Sequence, residues 1–220
     1  MRSIVAFFLA ALAVAPVAAQ APARRSAPGT VRVRLETTAG NITVALDARR
    51  APATARNFLA YVDDGRFDGT VFYRAARKKI APKFGFIQGG IRTDARRILP
   101  PFPLETTART GIKHLDATIS MARPAYGGSA GGNFFITVGA APNMDAGGGR
   151  EGYPAFGRVI GGMDVVRRIL AGPTCCGDGA MRGQMLVRAV EIRRAVRLDG
   201  KPQPTGRVKP WLIGVKLKTS

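Results

Sequence analysis

Histidine occurs once in this chain of 220 residues, tryptophan once, and cysteine twice, side by side; acidic residues number 14 against 34 lysines and arginines. Each scarcity excludes something. One histidine and one cysteine pair rule out a histidine-rich metal cluster, a zinc ribbon and a framework of several disulfides. Cys175-Cys176 is not a Cys-x-x-Cys redox motif, because no residue separates the two. Between Pro173-Thr174 and Gly177-Asp178, in a loop, the pair admits a vicinal disulfide, an intermolecular bridge, or two thiols without function. The shortage of acid leaves a formal net charge of +20, which attracts anionic partners without specifying a fold. Arginines supply 26 of the basic residues, the coding bias of GC-rich bacteria. After the first 20 residues no apolar run is long enough to span a bilayer.

What is present bounds the answer further. A hydrophobic content of 46% can bury a core, so the chain is not a disordered polycation. With 27 glycines and 15 prolines it is rich in turns, which argues against a helical bundle. The length suits one domain with tails. Met1-Arg2-Ser3 precedes an almost wholly apolar stretch from Ile4 to Val17, and small residues at Val17 and Ala19 complete a secretory signal peptide over residues 1–19. An uncleaved anchor is the alternative. Cleavage after Ala19 removes Arg2 and leaves 33 − 14 = +19. The Ala/Pro/Arg-rich residues 20–30 read as a flexible leader, and the mature protein is expected in the periplasm.

Val31, Val33 and Leu35, then Ile42, Val44 and Leu46, alternate with polar residues about a turn at Thr38-Ala39-Gly40-Asn41, the pattern of a hairpin with one apolar face. Pro52 opens a helix whose Ala55, Phe58, Leu59 and Val62 share a face, ending near Asp64-Gly65. Strand-like runs follow at Val71 to Tyr73, Phe84 to Gln88, Ala117 to Ala122, Phe134 to Val138 and Ala155 to Ile160. Met163, Val166, Ile169 and Leu170 mark a second helix closed by Gly172-Pro173, and Met185, Val187, Ala189 and Ile192 a last strand. Many short strands with two helices predict a mainly β fold, an antiparallel barrel with helical caps, in one domain over residues 31–197. Residues 198–220 form a basic tail, with an apolar patch from Trp211 to Val215 that either packs on the barrel or stays mobile.

Three short patterns carry little. Gly127-Gly128-Ser129-Ala130-Gly131 satisfies Gly-x-Ser-x-Gly, but a strand follows it where a hydrolase needs a helix. Gly147 to Gly152 satisfies Gly-x-Gly-x-x-Gly, yet it also leads into a strand, so it is a loop. His114 reads as a surface or turn residue.

Longer blocks do not look like barrel filling. Phe72-Tyr73-Arg74 precedes Phe84-Gly85-Phe86-Ile87-Gln88-Gly89-Gly90; then come Ile119-Ser120-Met121-Ala122-Arg123, Asn133-Phe134-Phe135-Ile136, and Ala155-Phe156-Gly157-Arg158-Val159 leading into Gly161-Gly162-Met163-Asp164. In this order and spacing, from Val31 to Ile192, the chain resembles the cyclophilin family of peptidyl-prolyl isomerases. It looks closest to the exported bacterial branch, where Ala122 is followed by Arg and a Tyr stands near Phe156. The resemblance implies a closed eight-stranded antiparallel barrel capped by two helices, with a substrate groove on its outer face. It implies that Arg74 is the catalytic arginine. It implies that Phe84, Phe86, Gln88, Ala122, Arg123, Asn133, Phe135, Met144 and Tyr153 bind substrate.

The chemistry of those residues fits independently. Rotation about an X–Pro bond faces a barrier of about 18–20 kcal/mol because amide resonance must be broken. No bond is made, so no metal, cofactor or nucleophile is expected. The reaction needs an apolar pocket for the pyrrolidine ring, which Phe86, Phe135 and Met144 can supply. It also needs a donor that favours the twisted amide, whose nitrogen regains a lone pair; Arg74 can donate there while Gln88 and Asn133 hold the flanking backbone.

The chain departs from the family in places. Thirteen residues separate Arg74 from Gln88, more than the family usually has, and the basic surplus from Arg77 to Lys83 is expected as a loop beside the groove. Gly85 stands where an aromatic is common, with Phe84 expected to shift in and replace it. Asn143, where some members carry Trp, predicts weak cyclosporin binding. The partners expected are proline-containing exported polypeptides, with acidic clients or the envelope surface drawn to the basic stretches; nucleic acid is not expected, and the protein is expected to be a monomer. The competing readings are a non-catalytic cyclophilin-like chaperone or scaffold, and a polyanion-binding module.

Overall fold

The computed structural model describes residues 29–123 and 131–213. The stretch expected as a signal peptide, nearly all of the expected leader, residues 124–130 with most of the Gly-x-Ser-x-Gly pattern, and the last seven residues of the tail lie outside the described residues.

Alternation builds the first hairpin. In β1 (Thr30–Thr37) and β2 (Gly40–Asp47), Val33, Leu35, Ile42, Val44 and Leu46 point inward and are fully buried. The strands pair from Thr30 opposite Asp47 to Thr37 opposite Gly40. The remaining strands are β3 (Thr70–Arg77), β4 (Gly85–Gly90), β5 (Thr118–Met121), β6 (Asn133–Val138), β7 (Ala155–Gly161), the two-residue β8 (Thr174–Cys175) and β9 (Met185–Arg197). They pair antiparallel in the order β1-β2-β7-β5-β6-β4-β3-β9, and β9 pairs back onto β1, so eight strands close a barrel and β8 hangs on the edge of β9. Closure removes the exposed sheet edges that invite aggregation. Inside, Phe58, Phe72, Phe134 and Phe156 pack edge-on or tilted, with ring centroids 5.2–5.6 Å apart.

Among the described residues three helices, one more than the two expected, accompany the barrel: α1 (Pro52–Asp63), α2 (Thr107–Thr110) and α3 (Met163–Ala171). The extra one, α2, is a single turn, too short to leave a periodic signature, and ends at Gly111. Helix α3 starts at Gly162, where φ is +84° and a β-carbon would sit 2.1 Å from the Asn41 carbonyl oxygen, so only glycine fits.

Helix α1 has no acidic residue in its first turn and no side-chain cap of its own. Glu105, some fifty residues away and buried, supplies one. Its carboxylate accepts from the Ala53 amide (3.2 Å), the Thr54 amide (2.8 Å) and the Thr54 hydroxyl (2.8 Å). These are donors that a helix start leaves unsatisfied, and the negative charge lies at the positive end of the dipole. Glu105→Gln is expected to cost about 1–2 kcal/mol, the range of a lost cap, read as a lower urea midpoint at unchanged slope; an unchanged midpoint would show the carboxylate to be idle.

As far as Ile213 the tail stays on the barrel. After Arg197, which pairs with Asp63, the Thr205 amide and hydroxyl donate to Asp64 at 2.7 and 2.6 Å. Trp211, buried, lies between the guanidinium groups of Arg66 (4.7 Å) and Arg97 (5.1 Å). Burial by itself would raise the Asp64 carboxyl, but the Thr205 hydroxyl and Arg66 outweigh it and hold the group below its ordinary value. Among the described residues no helix is long and apolar enough to cross a membrane.

Candidate active site

The β3–β4 register places Arg74 opposite Gln88, beside a break in the ladder between Phe72 and Arg74. Arg74 therefore leans out of the barrel, half-buried, over an outer groove. Its guanidinium is held from three sides. Nη1 donates to Gln88 Oε1 (2.9 Å), Nε and Nη2 donate to Gln184 Oε1 (2.9 and 2.7 Å), and Nη2 also donates to the Ala180 carbonyl (3.2 Å). Gln88 is fixed in turn by donating from Nε2 to the Tyr73 hydroxyl at 2.8 Å. A guanidinium carries five N–H groups; among the described residues this leaves one, on Nη1, for a ligand. Partial burial lowers the Arg74 pKa, but from a value so high that the group stays charged.

Below the guanidinium lies an aromatic wall. Arg74 sits 5.0 Å over the Phe86 ring, Phe86 is 5.4 Å from Phe135, and Tyr153 meets Phe135 edge-on at 5.4 Å. The cavity measures about 680 Å³. Eight of the expected residues line it: Arg74, Phe86, Gln88, Ala122, Arg123, Phe135, Met144 and Tyr153. Arg123 spans its rim, donating from Nε to the Gly152 carbonyl (2.7 Å) with its guanidinium 5.7 Å over Tyr153. Asn143, and the Gly149–Gly152 end of the loop that matched Gly-x-Gly-x-x-Gly, form another wall.

Two expected residues stand apart from this cavity. Asn133 accepts from the Arg92 amide (2.7 Å) and donates to the Arg92 carbonyl (2.8 Å), so its side chain clamps a turn in which Arg92 has φ of +53°. Phe84 does not shift in for the missing aromatic. Gly85 has φ of +148°, and a β-carbon there would lie 2.0 Å from the Ala76 carbonyl oxygen, so no side chain fits. Phe84 turns away against Gly139, with Lys78 and Lys83 over its ring at 5.9 and 5.2 Å. Arg77 also leaves the basic loop, closing the C-terminal carbonyls of α3 at Leu170 (3.0 Å) and Gly172 (2.9 Å).

Sequence reasoning missed Gln184 and the Ala180 carbonyl, and it misplaced His114. That histidine is buried, stacked at 5.7 Å on the Phe135 ring that forms the groove floor. Its Nδ1 bonds Asp145 at 2.7 Å and its Nε2 meets the Ser120 hydroxyl at 3.1 Å. The trio has the order of a hydrolase triad, but Ser120 is fully buried, so no substrate carbonyl can reach it. Its role is to brace Phe135 and the Met144-Asp145 wall. Burial, opposed by Asp145, holds the imidazole below its ordinary 6.5. Below that pH the unfolded chain binds the proton more readily than the folded one, so stability must fall as pH drops from 6.5. The chain has one histidine, so denaturation midpoints should decline between pH 6.5 and 5 in the wild type and flatten in His114→Gln. A wild-type midpoint constant across that window would contradict the buried, neutral imidazole.

A closed barrel whose outer face sets one braced guanidinium over an aromatic-walled groove of about 680 Å³ has the shape and donors of a surface for an extended peptide. The sequence profile of the cyclophilin type peptidyl-prolyl cis-trans isomerase/CLD family matches residues 32–195. The chain belongs to that family. It is 38% identical over 144 residues to peptidyl-prolyl cis-trans isomerase A of Dickeya dadantii, covering 66% of this chain and 73% of that protein. It is 35% identical over 142 residues to a peptidyl-prolyl cis-trans isomerase of Acinetobacter baylyi, covering 64% and 73%. In fold it is similar to the crystal structure of a cyclophilin type peptidyl-prolyl cis-trans isomerase of Cryptosporidium parvum, with a TM-score of 0.59 at 21% identity, covering 78% of this chain and 99% of that one.

Proposed function

We propose that this chain accelerates X–Pro bond rotation in exported polypeptides in the periplasm and so assists their folding. The observation that carries the reading is the Arg74 guanidinium, held by Gln88, Gln184 and Ala180 directly above the Phe86–Phe135 wall. A pyrrolidine ring seated on that wall brings its amide nitrogen under the uncommitted Nη1 N–H. The planar amide nitrogen is a poor acceptor; the twisted one has a lone pair. A donor fixed before the substrate arrives therefore favours the transition state over the ground state, the condition for acceleration. Each tenfold gain needs about 1.4 kcal/mol of that preference.

The Ile4 to Val17 apolar run supports export, and bacterial relatives with the family name stand beside it. Lys78, Lys79, Lys83, Arg92, Arg109 and Lys113 remain exposed and would draw acidic clients or the envelope surface; Arg77 and Arg97 are taken by the fold, and Arg96 pairs with Asp94. Two measurements test the reading. The mature protein should speed cis-to-trans exchange in a proline peptide, and the periplasmic fraction of its host should hold a chain beginning at Gln20. Exchange at the uncatalysed rate, or an uncut cytoplasmic chain, would contradict the corresponding half.

A further inference from the structure

We infer that the Cys175–Cys176 pair is a thiol–disulfide exchange site that sets how firmly Arg74 is held; the inference rests on the isomerase reading of the groove. The two sulfurs are bonded to each other, closing a ring across consecutive residues. Upstream of the ring the backbone is fixed. Thr174 and Cys175 pair with Leu186 and Met185, and Arg77 Nη2 donates to the Thr174 hydroxyl at 2.8 Å. Downstream it is not paired in the sheet. Cys176, exposed, has φ of +49°, a left-handed backbone that a residue with a β-carbon enters only when its surroundings hold it there.

That conformation aims the Cys176 carbonyl at the Gly183 amide, 2.6 Å away, and the bond closes the loop from Gly177 to Gly183. The loop carries the Ala180 carbonyl and is followed directly by Gln184, two of the three groups that grip the Arg74 guanidinium. The Gln184 side chain is tied back to the same carbonyl, Nε2 donating to Ala180 O at 3.1 Å. A short path of covalent and hydrogen bonds thus runs from the disulfide to the reacting group. Opening the ring frees Cys176 to leave the left-handed region, turns its carbonyl from Gly183, and loosens the grip on Arg74.

The exchange partner is a dithiol. Its thiolate attacks the exposed Cys176 sulfur, the S–S bond breaks, and Cys175 leaves as a thiolate that takes a proton. The partner's second thiolate then attacks the mixed disulfide, so that the partner is oxidised to a disulfide while Cys176 also leaves as a thiolate and is protonated. An oxidising compartment keeps the ring closed and the enzyme in its faster form.

The test compares oxidised wild type, the same protein reduced with dithiothreitol (state verified by mass), and Cys175→Ser/Cys176→Ser, on a proline peptide without cysteine. Reduction should lower kcat roughly tenfold with KM nearly unchanged, less than the ~10²-fold that a 1 Å misplacement can cost. The double variant should match the reduced protein and ignore the reductant. In the reduced form the Gly183 amide should also exchange with deuterium faster. Equal kcat in both redox states, with acceleration that still depends on Arg74, overturns the inference alone. No acceleration by any form overturns the isomerase reading and the inference with it.

Discussion

Arg74→Ala should lower kcat for a proline peptide by roughly 10²–10³, the cost of removing one preorganised transition-state donor, or about 2.7–4 kcal/mol. KM should move little, because the Phe86, Phe135 and Met144 surfaces that grip the ring are untouched. A loss confined to kcat marks an interaction made only in the transition state. Arg74→Lys keeps the charge but not the fork. An ammonium is a compact point charge on a flexible stem, without the planar fork that Gln88 and Gln184 hold in one orientation, so the lysine variant should lie closer to alanine than to wild type. Neither variant should unfold the protein, since Arg74 lies outside the barrel core. A kcat within threefold of wild type would leave the guanidinium without a role.

Trp211→Ala should destabilise the fold strongly although Trp211 lies in the tail. Truncating a buried tryptophan costs about 3–5 kcal/mol, against a total of only about 5–15 kcal/mol for a domain. Two guanidinium groups lose the ring they flank, and one of them, on Arg66, is itself buried. The tail from Leu198 onward would then be held by the Asp199–Arg32 ion pair at its start and by the Gln203–Asp63 and Thr205–Asp64 hydrogen bonds. The melting temperature should fall by about 6–20 °C at the usual sensitivity for this size. At a low temperature the variant should keep wild-type kcat, because the groove shares no lining residue with the Trp211 corner. A shift under 2 °C would show that the tail merely rests on the barrel.

The barrel was legible because its strands are half-buried. Val33, Leu35, Ile42, Val44 and Leu46 alternate, and alternation predicts one face inward. Helix α3 was legible for the matching reason, an apolar stripe at helical spacing. What escaped depends on contacts between distant positions. Glu105 caps a helix fifty residues upstream, and Gln184 reaches Arg74 across 110 residues; neither has a local signature. Phe84 was misjudged because the backbone at Gly85, not the order of aromatics, decides which ring faces the groove. His114 looked like a turn residue because polarity was visible and burial was not; only its bonds to Asp145 and Ser120 make burial affordable. The tail's course remained open because one tryptophan in a basic segment carries no period.

The most direct test of the central claim is two-dimensional exchange NMR on a proline peptide held at equal occupancy by wild type and by Arg74→Ala. The on-enzyme cis–trans rate should collapse in the variant while the dissociation constant stays within a few-fold. An on-enzyme rate that survives the loss of Arg74, or one no faster than solution exchange in the wild type, would contradict it and leave a groove that binds proline segments without turning them.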